Sequence, residues 1–176
     1  MTHPNGAEGK VGLSALNYPV IGFWKPLKGS GQCGPERFRK FVSPAELCSV
    51  SRDELRSGLL RDAELIDTAG HRYRVETVRR MGYQTSSLVR LLLFLVGQAG
   101  DVMLRLDLEL TNGPPISLAE VQRRVCASID RYDEEWLEAE LENGGASDLA
   151  SASRSAVMRA HSVAEIFDGL EKLWPS

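Results

Sequence analysis

Apolar residues recur every third or fourth position from Leu118 to Trp136: Leu118, Val121, Val125, Ile129, Tyr132 and Trp136. That spacing predicts an amphipathic helix with one stripe facing a core. Ser117-Leu118-Ala119-Glu120 has the form of a capping box, and Pro114-Pro115 stops whatever precedes it. Asn143-Gly144-Gly145 offers residues that tolerate a left-handed C-cap. The predicted helix spans 117–143, a rod of about 40 Å.

A two-residue period appears elsewhere. Val102, Leu104, Leu106, Leu108 and Leu110 alternate with Met103, Arg105, Asp107 and Glu109, as in a half-buried antiparallel strand. Residues 64–67 and 72–78 flank Thr68-Ala69-Gly70-His71 and read as a hairpin, with Tyr73, Val75 and Thr77 on its apolar face. Val20-Ile21-Gly22-Phe23-Trp24 is a short β-branched and aromatic run, hence a strand closed by Pro26.

Short helices start at recognisable caps. Ser43-Pro44-Ala45-Glu46 puts proline at the first helical position. Ser51-Arg52-Asp53-Glu54 opens a helix near 51–60, which Gly58 weakens. Ser162-Val163-Ala164-Glu165 opens a terminal helix carrying Val163, Ile166, Phe167, Leu170 and Trp174. Residues 83–97 hold an N-cap cluster, Thr85-Ser86-Ser87, before a leucine-rich run poor in β-branching, which favours a buried helix over a strand. Residues 146–155 are small and polar and read as a linker or frayed turn.

Together these elements predict an α+β domain over 11–176, after a disordered 1–10. It has an antiparallel sheet of about four strands, with helices packed mainly on one face. The chain of 176 residues suffices for one domain with a real core. Residues 1–10 lack the apolar segment of a signal peptide, and the longest apolar run, Leu91 to Val96, is too short to span a bilayer. A cytoplasmic protein is expected, with no membrane partner. No basic-aromatic cluster points to nucleic acid.

Charge changes this picture. The net charge is −3, yet residues 1–90 carry 14 basic and 9 acidic side chains and the remainder 7 and 15. The halves can attract each other within the fold, or the negative half can face a positive partner. The acid concentrates in Asp130, Asp133, Glu134, Glu135, Glu138, Glu140 and Glu142, interrupted by one base, Arg131. Asp130, Glu134, Glu138 and Glu142 repel at a spacing of four, each pair costing about 0.2–0.5 kcal/mol. They also crowd the helix end that prefers cations. Either this is a solvated face that packing tolerates, or it is a docking surface for a basic partner. As partner-binding candidates we take Asp130, Asp133, Glu134, Glu135, Glu138 and Glu142.

Candidate chemistry is sparse. Cys33, Cys48 and Cys126 form no CxxC or CxxH pair, so free thiols are expected, with no metal site and no cofactor. The glycine-rich stretch 28–35 lacks the order of a phosphate-binding loop. Asp67 beside His71 has the composition of an acid–base pair, but at a loop tip with no third partner in the sequence turn stabilisation is the favoured reading.

Three pieces, Ile66 to Val75, Ile116 to Val121 and Ala160 to Ile166, resemble in order the small α+β immunity proteins of bacterial polymorphic-toxin systems. The resemblance implies a cytoplasmic, non-enzymatic binding protein that blocks a cognate toxin, here a basic one such as a nuclease, through the acidic helix. It carries no catalytic residues with it. The alternative is a small enzyme or ligand-binding domain with Asp67, His71 and Cys33 near a pocket. An oligomeric scaffold is a third reading, and monomer and homodimer are not distinguished.

Overall fold

A computed structural model describes residues 10–25, 36–140 and 146–170; within these, 131–140 and 146–149 are described by their helical course alone. The elements, in order, are β1 (Lys10–Val11), β2 (Val20–Trp24), β3 (Arg37–Phe41), α1 (Pro44–Leu47), β4 (Ser49–Ser51), α2 (Arg52–Arg56), β5 (Glu64–Asp67), β6 (Arg72–Tyr83), α3 (Ser87–Leu95), β7 (Met103–Asn112), α4 (Leu118–Glu140), α5 (Ala146–Arg159) and α6 (Val163–Leu170). The α+β class holds, but among the described residues the sheet has seven strands, where about four were expected. All pairings are antiparallel, in the order β3-β2-β5-β6-β7, and β7 uses its far edge for both β1 and β4.

The sheet is apolar on both faces. Along β2, Val20 joins Phe41, Leu65, Leu104 and Leu110 on one side, while Ile21 and Phe23 join Val121, Val125 and Ile129 on the other. Helices α4, α5 and α6 cover the second face. On the first, side chains from the strands pack on one another, and Leu47 of α1 and Leu55 of α2 complete the core. Arg39 of the edge strand β3 pairs with Glu46 of α1 and Glu54 of α2, tying one sheet edge to the segment that borders the other. Gly22 is required here. A Cβ on it would stand 2.9 Å from Phe41 Cε2 and 3.2 Å from Leu65 Cδ2.

The caps are largely as read. Ser51 and Glu54 make the full reciprocal box. Ser43, Ser117 and Ser162 each accept from the backbone three residues on. Glu120, however, turns to Arg123 rather than to the Ser117 amide, at 2.7 and 2.8 Å.

Several expectations need correction. Lys10, placed in a disordered N-terminus, pairs with Thr111 across β1 and β7. Residues 146–155 form most of α5 instead of a linker, because α4 and α6 supply the packing that its small side chains do not call for alone. Gln122 Nε2 donates to the carbonyls of Val157 at 3.0 Å and Ala160 at 2.9 Å, which ties the end of α5 to α4. A bulge at Glu76 shifts the phase of β6, so Val78 joins the core rim where Thr77 was expected. Most consequential, residues 87–95 are helical but not buried. No residue of α3 is buried.

Candidate binding surface

Helix α3 interrupts the β6–β7 hairpin and lies beyond the end of the sheet. Its base is fixed. Gln84 N donates to Met103 O at 3.0 Å, and Met103 N donates to Thr85 Oγ1 at 2.8 Å. Ser86 caps the start by accepting from Val89 N, and Gly97, at φ +78°, closes the end in the left-handed conformation that favours glycine. A 3-10 turn, 99–101, leads into β7.

The helix itself is apolar over most of its circumference. Leu88, Val89, Leu91, Leu92, Phe94, Leu95 and the capping Val96 are exposed, with Phe94 at 70% and Leu88 and Leu95 at 69%. At 3.6 residues per turn these positions sweep about 220° of the helix, leaving only the side of Arg90 and Leu93 facing inward. Such an arc is twice the width of the stripe a surface helix normally hides. Met81, at the second bulge of β6, and Tyr83 extend the apolar surface to the strand. Contiguous exposed apolar surface marks interaction sites.

Cations ring its base. Arg80 and Arg90 place their guanidinium carbons 4.3 and 3.9 Å from the Tyr83 ring centroid. The Arg80 hydrogen bond and charge, with the fields of Arg90 and Arg52, lower the Tyr83 hydroxyl from its ordinary value against the opposing effect of desolvation. Arg79 is taken up by Glu109 at 2.8 Å. Among the described residues, no carboxylate lies within ion-pair distance of Arg80 or Arg90. From Thr77 to Gly100 the chain contains no acid at all.

The acidic run fares differently. Asp130 is exposed, and Arg154 of α5 approaches it at 2.9 Å, so this first carboxylate already has a partner in the chain's own second half. The side chains of Asp133, Glu134, Glu135, Glu138, Glu140 and Glu142 lie outside the described residues, as do those of Tyr132 and Trp136.

Asp67 and His71 do meet, in a setting built for turn fixation. Asp67 is fully buried. Burial alone would raise its carboxyl, but donors outweigh it and hold it below its ordinary value: Asn17 Nδ2 at 2.9 Å, His71 N at 2.8 Å, Asn17 N at 3.3 Å and the His71 ring at 3.3 Å. Tyr73 Oη adds a contact at 3.4 Å. These contacts occupy both carboxylate oxygens, an arrangement that anchors the Asn17 loop to the hairpin. Cys33, the third member of the alternative site, lies outside the described residues. Cys48 and Cys126 are free, half-buried thiols, and burial pushes both upward from the ordinary thiol value.

One charged cluster was not visible beforehand. Arg124 of α4 is nearly buried, donates to both Glu36 oxygens and to Glu64 at 2.7 Å each, and lies 4.1 Å from the Phe23 ring centroid. Glu64 also accepts from Arg72, and these donors lower its carboxyl despite desolvation. The sequence carries a hint only in retrospect: Arg124 sits beside the apolar stripe at Val121 and Val125. This cluster fastens α4 to the sheet.

The fold and surface therefore define an antiparallel α+β domain with an apolar helix displayed on a cationic base. Comparison with known proteins found no matching family model, no matching curated protein and no matching solved structure. Among the described residues, no helix is long and apolar enough to cross a membrane, and no group of three or more His, Cys, Asp and Glu is placed to hold a metal ion.

Proposed function

We propose that this chain works by binding rather than by catalysis, with α3 as the surface that engages the partner. One observation carries the reading: the nine-residue helix α3 has a firm cap and a fixed base, yet buries none of its residues. Leaving leucines and a phenylalanine in water forgoes about 1.5–3 kcal/mol for each side chain that a partner could cover. The opposing candidate, chemistry at Asp67 and His71, uses a carboxylate already saturated by donors.

The narrower reading follows the immunity-protein resemblance. It seats a basic toxin of the nuclease type against Asp130, Asp133, Glu134, Glu135, Glu138 and Glu142. What supports it is the crowding of acid at a helix end that repels it. Replacing Glu134, Glu138 and Glu142 together by glutamine tests that part, since a steering surface makes association fall with salt and with lost charge.

The wider reading is tested in the native cell. A photo-activatable residue at Leu92 is expected to give discrete adducts, and the same residue at Arg74, on the exposed face of β6, none. Equal labelling from both positions would overturn it.

A further inference from the structure

We propose that α3 is an interfacial insertion element for an anionic lipid bilayer, the apolar helix entering the acyl boundary and the arginine collar meeting lipid phosphates. This rests on the reading of α3 as the binding surface and specifies its partner. The sequence expectation of no membrane partner came from the shortness of Leu91–Val96, which excludes crossing a bilayer. It does not exclude lying within its surface.

Three observations select lipid. The first is breadth. The exposed apolar arc covers about 220° of the helix, whereas docking against one neighbouring helix buries a stripe of roughly 100°. An enveloping medium satisfies such an arc. The second is layering. Leu88, Leu91, Leu92, Phe94 and Leu95 form the outer arc of the helix, while Arg90, on its inner side, and Arg80 of β6 bring their guanidinium groups together on Tyr83, where β6 ends. A broad apolar arc backed by an aromatic ring with two cations stacked on it suits the acyl boundary and the headgroup level of a bilayer. The third is charge. Arg80 and Arg90 lack carboxylate partners among the described residues, and no acid occurs between Thr77 and Gly100. A second copy docking isologously through α3 would set these arginines beside their own equivalents. An anionic surface neutralises them.

The test is cosedimentation of the full chain with large vesicles, either equal parts phosphatidylglycerol and phosphatidylcholine or phosphatidylcholine alone. Binding to the anionic vesicles is expected, weakening as salt rises. Arg80→Gln with Arg90→Gln should reduce it about thirtyfold, at the usual worth of a basic residue near such a surface. Leu91→Glu with Phe94→Glu should abolish it while leaving the melting temperature unchanged, because both positions are exposed. Met158→Glu, an exposed site on α5, should bind as the parent does. Failure to bind anionic vesicles, or binding indifferent to L91E/F94E, overturns the proposal. So does a dimer in light scattering that L91E/F94E dissolves. If vesicles fail while cross-linking from Leu92 persists, only the lipid assignment falls; if both fail, α3 is no binding surface.

Discussion

Helices α3 and α4 begin alike. Ser86 and Ser117 each accept from the backbone three residues on, and both helices carry apolar residues at helical spacing. Their surroundings are opposite. Val121, Val125 and Ile129 of α4 are sealed against β2, β3 and β5, whereas Leu88, Leu91, Leu92 and Leu95 of α3 face outward. The difference lies in delivery. Strand β7 ends at Asn112, and the segment 113–117 returns the chain across the sheet, so α4 has a surface to cover. Helix α3 grows from the far end of the β6–β7 hairpin, where the sheet has run out. Apolar spacing states what a helix can bury; its flanking strands decide whether anything is there to bury it.

This contrast can be broken by substitution. Ile129→Ala should cost about 2–5 kcal/mol in thermal or denaturant unfolding, the usual loss for truncating a sealed core side chain. A loss under half a kilocalorie would mean that α4 is not clamped as described. Gly22→Ala should cost about 1–3 kcal/mol by overpacking Phe41 and Leu65. Retained stability there would show that the first core is looser than its contacts imply.

Asp67 supplies a pH signature of the body. Its carboxyl is held below the unfolded value, so its contribution is complete above about pH 4 and is lost as pH falls through the lower folded value. Acid titration of stability should therefore be shallower in Asp67→Asn than in the parent, once both are compared near neutrality. Identical slopes would remove Asp67 from the acid response. The smallest effect belongs to α3. Leu92→Ala should change stability by no more than about 0.5 kcal/mol, and a large loss would mean that the helix is packed after all.

Much of the fold was legible, for reasons that also explain the omissions. Strand β2 was found residue for residue because a β-branched and aromatic run is self-declaring. The alternation of β7 and the N-cap serines of α1, α2, α3, α4 and α6 are local signals, and they held, although among the described residues only α2 closes the full box. Strands β1 and β4 are two and three residues long, and they exist through their pairing with β7, which leaves no periodicity to read. Strand β3, Arg37-Phe38-Arg39-Lys40-Phe41, hides its apolar positions among cations. Helix α5 is rich in serine and alanine and owes its order to its neighbours. The binding surface was misjudged in the same way. The leucines of 88–95 looked like core, because composition cannot reveal that the sheet ends before α3 begins. The hairpin turn at Asp67 was foreseen, but the reach of Asn17 across fifty positions was not.

Residue-resolved carbene footprinting of the isolated monomer tests the central claim most directly. Leu91, Phe94 and Leu95 should label strongly, Val121, Val125 and Ile129 should stay unlabelled, and anionic vesicles should protect only the first group. Weak labelling of α3 in the monomer without vesicles would contradict the account, since the helix would then be covered by its own chain.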